Sequence, residues 1–559
     1  MYTIYTEIYK TLVWIAEKTA DSGYIEIYCG SQPHFSKRYV ADGPWYDIIP
    51  LQPETAYTIF IKSVDIKFAY LCGCPDELER GVCFLDFHSG AVDRYDSSNL
   101  EHAYEQKFRC AFHFSTFKNW MNDPNGLCRY QGYYHMFYQM NPAGLQWGNV
   151  YWGHAVSKDL LHWNHLPIAL FPQKDLYGLT QYKGGAYSGS ALAEEDRITL
   201  YFTRHFSPLE KGILTKEIQV QAVSKDGVLV EQETPIITEK PGGPEDVNFR
   251  DPKAVYLNGR KNLLISTTIH KLCTVERYEW IDGSWHDKGP FFQDRLDCDT
   301  VECANLVTGG DGSCALLFSL QNMSDPFGRK RLMKYYIGSI DQNTFQPEAS
   351  GIYDFGTECY ALQTFEDGDR TLAFGWIVSA YGEFEEEGSR SNGCITLPRE
   401  LSVRGRTLYS TPARETRQLL YETIPVIQNG LTVNPMPGRA ALFHLRLRLT
   451  ENTSFRIILA KNREQRLGLE YDGNILNLIH GLAADRESAP FLHVKTSLVT
   501  DLELFMDKSA VEIFVNQGRY VGTKTYFFEP DGSAVEYEFE RRQAVQLFEI
   551  SKVKNIWKK

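Results

Sequence analysis

Residues 120–126 read Trp-Met-Asn-Asp-Pro-Asn-Gly, and the fold turns on how this heptapeptide is taken. Alone, Asn122-Asp123-Pro124-Asn125-Gly126 is a turn signal, because Pro presets φ, and Asn and Gly tolerate left-handed backbone. Short apolar-aromatic runs follow it, among them Tyr133–Tyr138, Leu200–Phe202, Asn262–Ser266 and Leu372–Ile377. Gly, Asn, Asp and Pro separate them. Short strands at such spacing predict a propeller or a sandwich over residues 107–405, and the absence of a strict repeat leaves both open.

Two further regions flank this one. Residues 1–105 alternate in Tyr24–Tyr28 and Tyr57–Ile61, with a breaker at Asp42-Gly43-Pro44, which predicts a small additional β-rich domain. The polar stretch 93–106 reads as its linker. Residues 406–559 are again strand-like. Val511, Ile513 and Val515 alternate with Glu512, Phe514 and Asn516, giving a strand with two unlike faces and predicting a C-terminal β-sandwich. The expected class is all-β.

The bulk properties narrow the function. A formal charge of −13 argues against a nucleic-acid partner. No run approaches the length of a membrane span, and no export signal is read at the N-terminus, so a cytoplasmic protein is expected. Its 12 irregularly spaced cysteines are then expected as reduced thiols. Cys72, Cys74 and Cys83 lack a fourth ligand. His162 and His165 beside Trp163 lack a third. No metal and no cofactor are therefore expected. Aromatics make up 13% of the chain, a load that suits β-rich packing and flat faces for sugar rings.

The chemistry is sought among acids. Phe249-Arg250-Asp251-Pro252 sets a second Asp before a Pro, beside an Arg that can orient a carboxylate. Val301-Glu302-Cys303-Ala304 sets a Glu in an apolar run, where desolvation raises proton affinity as a general acid requires. Glycoside cleavage needs two carboxyl groups about the scissile bond, and a third can hold substrate hydroxyls. Spacing alone does not bring the three together.

Trp120–Gly126 resembles the signature of glycoside hydrolase family 32, the invertase and fructanase family. Phe137–Pro142, Trp147–Ala155, Ser157–Leu160, Tyr187–Ala191, Arg250–Pro252, Glu302-Cys303, Leu397–Leu401 and Asp507–Phe514 are similar to that family's blocks, in its order, across residues 107–559. The resemblance implies a five-bladed β-propeller followed by a β-sandwich. It implies Asp123 as nucleophile, Glu302 as acid/base and Asp251 as transition-state stabiliser. Asn122, Gln139, Trp147, Ser188 and Arg250 would then line a fructose subsite.

Two departures stand out. Ala304 replaces the family's usual Pro, and Glu358 falls where an Asp is usual and is expected to line the pocket. The implied activity is release of fructose from sucrose or short β-fructo-oligosaccharides. Alternatives are sucrose-6-phosphate, with Lys174, Lys183 and Arg204 as candidate phosphate ligands, long fructans, fructosyl transfer, or binding without turnover. Residues 1–105 carry no family block and are assigned a structural role or self-association into a homo-oligomer.

Overall fold

The computed structural model describes residues 1–559 except 41, 174–175, 177–181, 209–214, 242–247, 270, 324–330, 357, 379–389, 439–441, 483–492, 532–534 and 559. Almost every regular element among the described residues is a strand.

The first region is two antiparallel sheets face to face. One orders Tyr2–Tyr5, Ala56–Lys62, Gly23–Cys29 and Gln32–Tyr39. The other orders Trp45–Pro50, Thr11–Lys18, Val64–Cys72, Cys83–His88 and Ala91–Tyr95. Period-two alternation explains the packing. Leu12, Trp14 and Ala16 face the core between the sheets with Ile25, Ile27 and Ile59. Val13 and Ile15, on the opposite face, join Phe68, Tyr70 and Phe84 in a second core. That second core also holds Met136, Tyr138, Phe374, Phe514 and Trp557, so it is shared with everything downstream. At about 1.5–3 kcal/mol per buried side chain, five such residues contribute roughly 10 kcal/mol before ordering costs, enough for fixed docking rather than a loose tether.

The stretch expected as a polar linker is instead part of this joint. Leu100, Ala103 and Tyr104 are buried in a 3-10 turn, Leu100–Tyr104. Buried Arg109 stacks over the Tyr104 ring at 3.4 Å and donates to the carbonyls of Ala103 and Phe117.

Residues 119–412 form five sheets in succession among the described residues, built of antiparallel strands apart from one short parallel pairing. Their leading strands are Asn119–Tyr130, Tyr182–Ala193, Phe249–Leu257, Thr300–Thr308 and Cys359–Asp367. Each leading strand packs against the next, and the fifth packs against the first, so the ring closes as a propeller requires. Ser391-Asn392 pairs in parallel with Asn119-Trp120 and ties the late chain to the first sheet.

The heptapeptide is not a turn between strands. It lies within the strand Asn119–Tyr130, and its turn-forming residues appear as two register shifts, between Met121 and Pro124 and between Asn125 and Cys128. Gly126 is required there. Its φ is +53°, and a Cβ would sit 2.6 Å from the Phe137 ring.

The third region is a sandwich. A sheet running from Leu431–Thr432 to Tyr520–Thr525 faces one running from His493–Lys495 to Glu536–Phe539. Leu445, Leu447, Ile457, Leu469, Ile513 and Val515 fill the space between. The strand Ala510–Val515 has the two unlike faces its alternation implies. Ile513 points into the sandwich, whereas Phe514 joins the shared core and Glu512 faces the ring.

Candidate active site

Register shifts on the five leading strands aim side chains at the ring centre. A shift spans Asp123 on the first strand and Ser188 on the second. On the third it follows Arg250 and includes Asp251, on the fourth it follows Glu302, and on the fifth it follows Tyr360. A bulge sets one residue out of the ladder and re-aims its neighbours. Asp251 and Cys303 adopt positive φ, 62° and 52°, a strained backbone kept where surrounding structure fixes it.

The three acids therefore converge. Asp123, Asp251 and Glu302 line one cavity of about 930 Å³ with Asn122, Gln139, Trp147, Ser188 and Arg250. Asp123 Oδ2 accepts from Ser188 Oγ at 2.5 Å, and Oδ1 accepts from Asn122 Nδ2 at 3.0 Å. The Asp251 carboxylate accepts from the Cys303 N–H at 3.0 Å. Glu302 Oε1 accepts from Arg250 Nη2 at 2.9 Å and Nε at 3.2 Å, while Oε2 accepts from Tyr360 Oη at 2.6 Å. Both Glu302 oxygens are thus fixed in direction.

Crowding sets the charge. Burial, with Asp251 and Glu302 nearby, pushes Asp123 up to about 8, against the Ser188 bond and Arg331. Burial likewise pushes Asp251 up to about 7, against Arg250 and with the help of Glu302. Like charges in a desolvated cluster repel, so Asp123 and Asp251 keep their protons to higher pH than free carboxyl groups do. Arg250 stays cationic. Its desolvation is outweighed by Glu217, Glu302 and Asp251, which hold its pKa well above the usual guanidinium value.

Several residues of this cavity were not singled out by sequence. Glu217 accepts from Arg250 Nη1 at 3.0 Å and shares a 2.9 Å bond with His205 Nδ1. Despite its burial, Arg250 and His205 hold Glu217 down at about 2. The His205 ring stacks on Tyr187 at 3.9 Å, forming a wall. Trp376 and Arg331 line the cavity with the guanidinium 5.6 Å from the indole centroid. Glu217 carries no motif of its own, since its role arises only when the second and third sheets meet.

Glu358 corrects the expectation placed on it. It is 1% exposed and not among the cavity's lining residues. Its carboxylate faces the sandwich, accepting from Lys524 Nζ, the Thr525 N–H and, at 2.6 Å, Thr525 Oγ1. The register shift on the fifth strand follows Tyr360, so Tyr360 reaches the cavity and Glu358 lies at the joint.

Of the candidate phosphate ligands, Lys174 lies outside the described residues. Lys183 Nζ sits 4.8 Å from the centroid of Trp147, and Arg204 is engaged with Glu233 and the Phe171 carbonyl. Among the described residues, one group has metal-like proximity: Cys110, His113 and Asp507, buried, with donor atoms within 4.8 Å of one another. Asp507 is already saturated there by the N–H groups of Ala111, Phe112 and His113 and by His113 Nδ1. His113 Nε2 is bonded to Glu512 at 2.9 Å. These donors fit a hydrogen-bonded joint rather than a metal centre.

A ring-centre cavity with three carboxyl groups, an arginine clamp and amide and hydroxyl donors defines a glycosidase site. The comparisons carry this to a family. The glycosyl hydrolases family 32 N-terminal domain matches residues 113–412, and the family 32 C-terminal domain matches residues 422–555. The chain belongs to glycosyl hydrolase family 32 and is a glycosidase acting on O-glycosyl bonds.

Among relatives, a levanase of Bacillus subtilis is 27% identical over 84% of this chain and 73% of its own. A sucrose-6-phosphate hydrolase of Zymomonas mobilis is 28% identical over 75% of this chain and 87% of its own. Among solved structures, a family 32 glycoside hydrolase from Bifidobacterium adolescentis superposes with a TM-score of 0.88 at 26% identity, covering all of both chains. That match includes residues 1–105, so the N-terminal sandwich is not peculiar to this chain.

Proposed function

We propose that the chain is a retaining β-fructofuranosidase releasing fructose from sucrose and short β-fructo-oligosaccharides. The observation that carries this reading is the meeting of Asp123, Asp251 and Glu302 with Arg250 in one cavity. Ionised Asp123 attacks the anomeric carbon of the fructosyl unit while Glu302 protonates the glycosidic oxygen, and the aglycone leaves. Glu302, now a carboxylate, removes a proton from water, which attacks the same carbon and frees fructose and Asp123. Asp251 holds fructose hydroxyls as positive charge develops on the ring. Arg250 and Tyr360 orient Glu302, and Ser188 and Asn122 orient Asp123. Trp147 and Trp376 offer apolar faces to sugar rings. We also read the five closing sheets as five blades.

A second reading has its own observation. Arg331 lines the cavity against the Trp376 ring, its charge acts on Asp123, and among the described residues it makes no ion pair within 4.0 Å. A guanidinium held beside the site in no close ion pair suits an anionic leaving group, and so sucrose-6-phosphate.

A substrate panel tests both. Fructose release from sucrose, sucrose-6-phosphate, short fructo-oligosaccharides, inulin and levan should favour the first three. Release from none would end the leading reading. A kcat/KM for sucrose-6-phosphate at least about tenfold above sucrose, lost in Arg331→Leu, would replace sucrose by the phosphate ester.

A cytoplasmic setting is the companion proposal. It is supported by the 12 irregularly spaced cysteines, which read as thiols rather than as a disulfide framework. Self-association through residues 1–105 is the remaining expectation, and sedimentation as a monomer at micromolar concentration would remove it.

A further inference from the structure

A second cavity, of about 540 Å³, lies at the outer edge of the fifth sheet, at its seam with the C-terminal sandwich. Its walls come from the hairpin Arg399–Arg404 and Thr407–Pro412, from the loop after His493–Lys495, and from the turn joining Ala510–Val515 to Tyr520–Thr525. Three of its lining residues are cations, Arg404, Lys495 and Arg519, and none is a carboxylate. The chain carries 71 acidic against 58 basic residues, so a lining of one sign only, and the minority sign, is a departure from its surface at large.

All three cations are exposed, and the two arginines lie against rings. Arg404 lies over the Tyr409 ring at 4.9 Å and Arg519 over the Tyr520 ring at 5.5 Å. A guanidinium stacked on an aromatic face keeps its N–H edge free and loses little entropy when that edge binds an anion. Among the described residues no ion pair engages either arginine or Lys495.

The turn that carries Arg519 is fixed. Asn516, Gln517 and Gly518 all have positive φ. Gly518 packs on the hairpin so closely that a Cβ would lie 2.1 Å from the Ser410 carbonyl oxygen, and the Ser410 N–H donates to the Gly518 carbonyl at 2.8 Å. Asn516 ties the turn to the neighbouring loop through the Thr500 N–H and the Leu498 carbonyl. Asp501, outside the lining, accepts from the Gln517 N–H and from the Thr500 hydroxyl.

We propose that this seam cavity is a binding site for a phosphate group, free or esterified to a sugar, separate from the glycosidase centre. Two stacked guanidinium groups and an ammonium supply the charge-assisted donors such a dianion needs. Asn474 and Gln517, also in the lining, supply neutral donors for the remaining oxygens or for a sugar's hydroxyls.

The test is calorimetric titration of the full chain with inorganic phosphate, glucose 6-phosphate and glucose. Arg404→Gln/Arg519→Gln is compared with the unsubstituted chain, and Lys495→Ala serves as an independent variant. Both anions should bind the unsubstituted chain. The double variant should lose at least about tenfold in affinity and Lys495→Ala a smaller part, with sucrose turnover unchanged in both. Glucose should give no heat at this site. Tighter binding of the ester than of inorganic phosphate would assign a sugar phosphate, and equal binding would assign the free anion. Affinity unaltered in either variant, or no binding of either anion to the unsubstituted chain, would overturn the proposal.

Discussion

Two buried arginines, Arg250 and Arg399, each sit among several carboxyl groups, and the two clusters are built to opposite ends. At the joint between ring and sandwich, Arg399 donates from Nε to Glu512 at 2.8 Å and from Nη2 to Thr523 at 2.7 Å. Glu512 also accepts from the Leu397 N–H and His113, and Asp507 from a row of backbone N–H groups. Against the burial that would raise them, these partners hold Asp507 and Glu512 below the usual carboxylate range. At the catalytic centre, among the described residues, Asp123 has a hydroxyl, an amide and the distant Cys303 thiol, and the Asp251 carboxylate has one N–H and the same thiol. Their proton affinities rise instead. Saturated donors make a buried acid a fastener, and withheld donors leave it reactive.

The largest expected effect separates the two. Asp123→Ala should lower kcat on sucrose by roughly 10⁴-fold or more, since no other group can form the covalent intermediate. Its thermal stability should hold or rise, because a desolvated acid with few partners is removed. Glu302→Ala should retain far more activity on a fructoside whose leaving group needs no protonation. Comparable losses on both substrates in both variants would undo the assignment of roles.

Arg399→Leu should do the reverse. It leaves Glu512 buried with its main countercharge gone, at a cost of about 3–5 kcal/mol. Denaturant unfolding should show the loss, while kcat of the folded enzyme changes little. If activity fell and stability did not, the joint would be part of the catalytic apparatus.

Glu358→Gln is a smaller cut at the same joint. Lys524 loses its charged partner while the shape is kept, so about 1–3 kcal/mol of stability should go. The kcat/KM for sucrose should stay within about twofold. A change in leaving-group preference would return Glu358 to the pocket.

Glu358 also shows where legibility in the sequence ended. Asp123, Asp251, Glu302, Asn122, Ser188 and Arg250 stand in short motifs whose local backbone points them inward, and the structure brings all of them together with Gln139 and Trp147. Glu358 stands two residues from Tyr360, and which of the pair reaches the cavity is decided by a register shift that no dipeptide reveals. Glu217, held between His205 and Arg250, needs the packing of one sheet on the next. The β-class of residues 1–105 was readable from period-two alternation. Their docking was not, because Val13 and Ile15 look like any strand's second face until the first sheet of the ring covers them.

Histidines sharpen the contrast through pH. Burial lowers His113's basicity, but Asp507 and Glu512 outweigh it and hold the pKa well above 6.5. Its stabilisation is complete below the unfolded value near 6.5 and is lost as pH rises through the folded value. His135, lowered to about 4 by burial, and His165, lowered to about 3, behave oppositely: they cost nothing above 6.5 and destabilise progressively as pH falls toward their folded values. Stability should therefore fall on both sides of neutrality. His113→Gln should flatten the alkaline limb alone, as read by unfolding across pH.

The smallest effect lies in the site itself. Ser188 donates to Asp123 Oδ2 and lowers a proton affinity that burial has raised to about 8. Ionised Asp123 is the reactive form, so the acid limb of kcat/KM reports the carboxylate cluster and belongs well above the ordinary value of 3.8. Ser188→Ala removes the lowering contact, and the limb should move to higher pH, by about half a unit to one unit for a single hydrogen bond. A shift to lower pH would mean that Ser188 serves the protonated acid instead. An unmoved limb with reduced kcat/KM would mean that Ser188 acts on the sugar alone, and that the charge of Asp123 is set by its carboxylate neighbours.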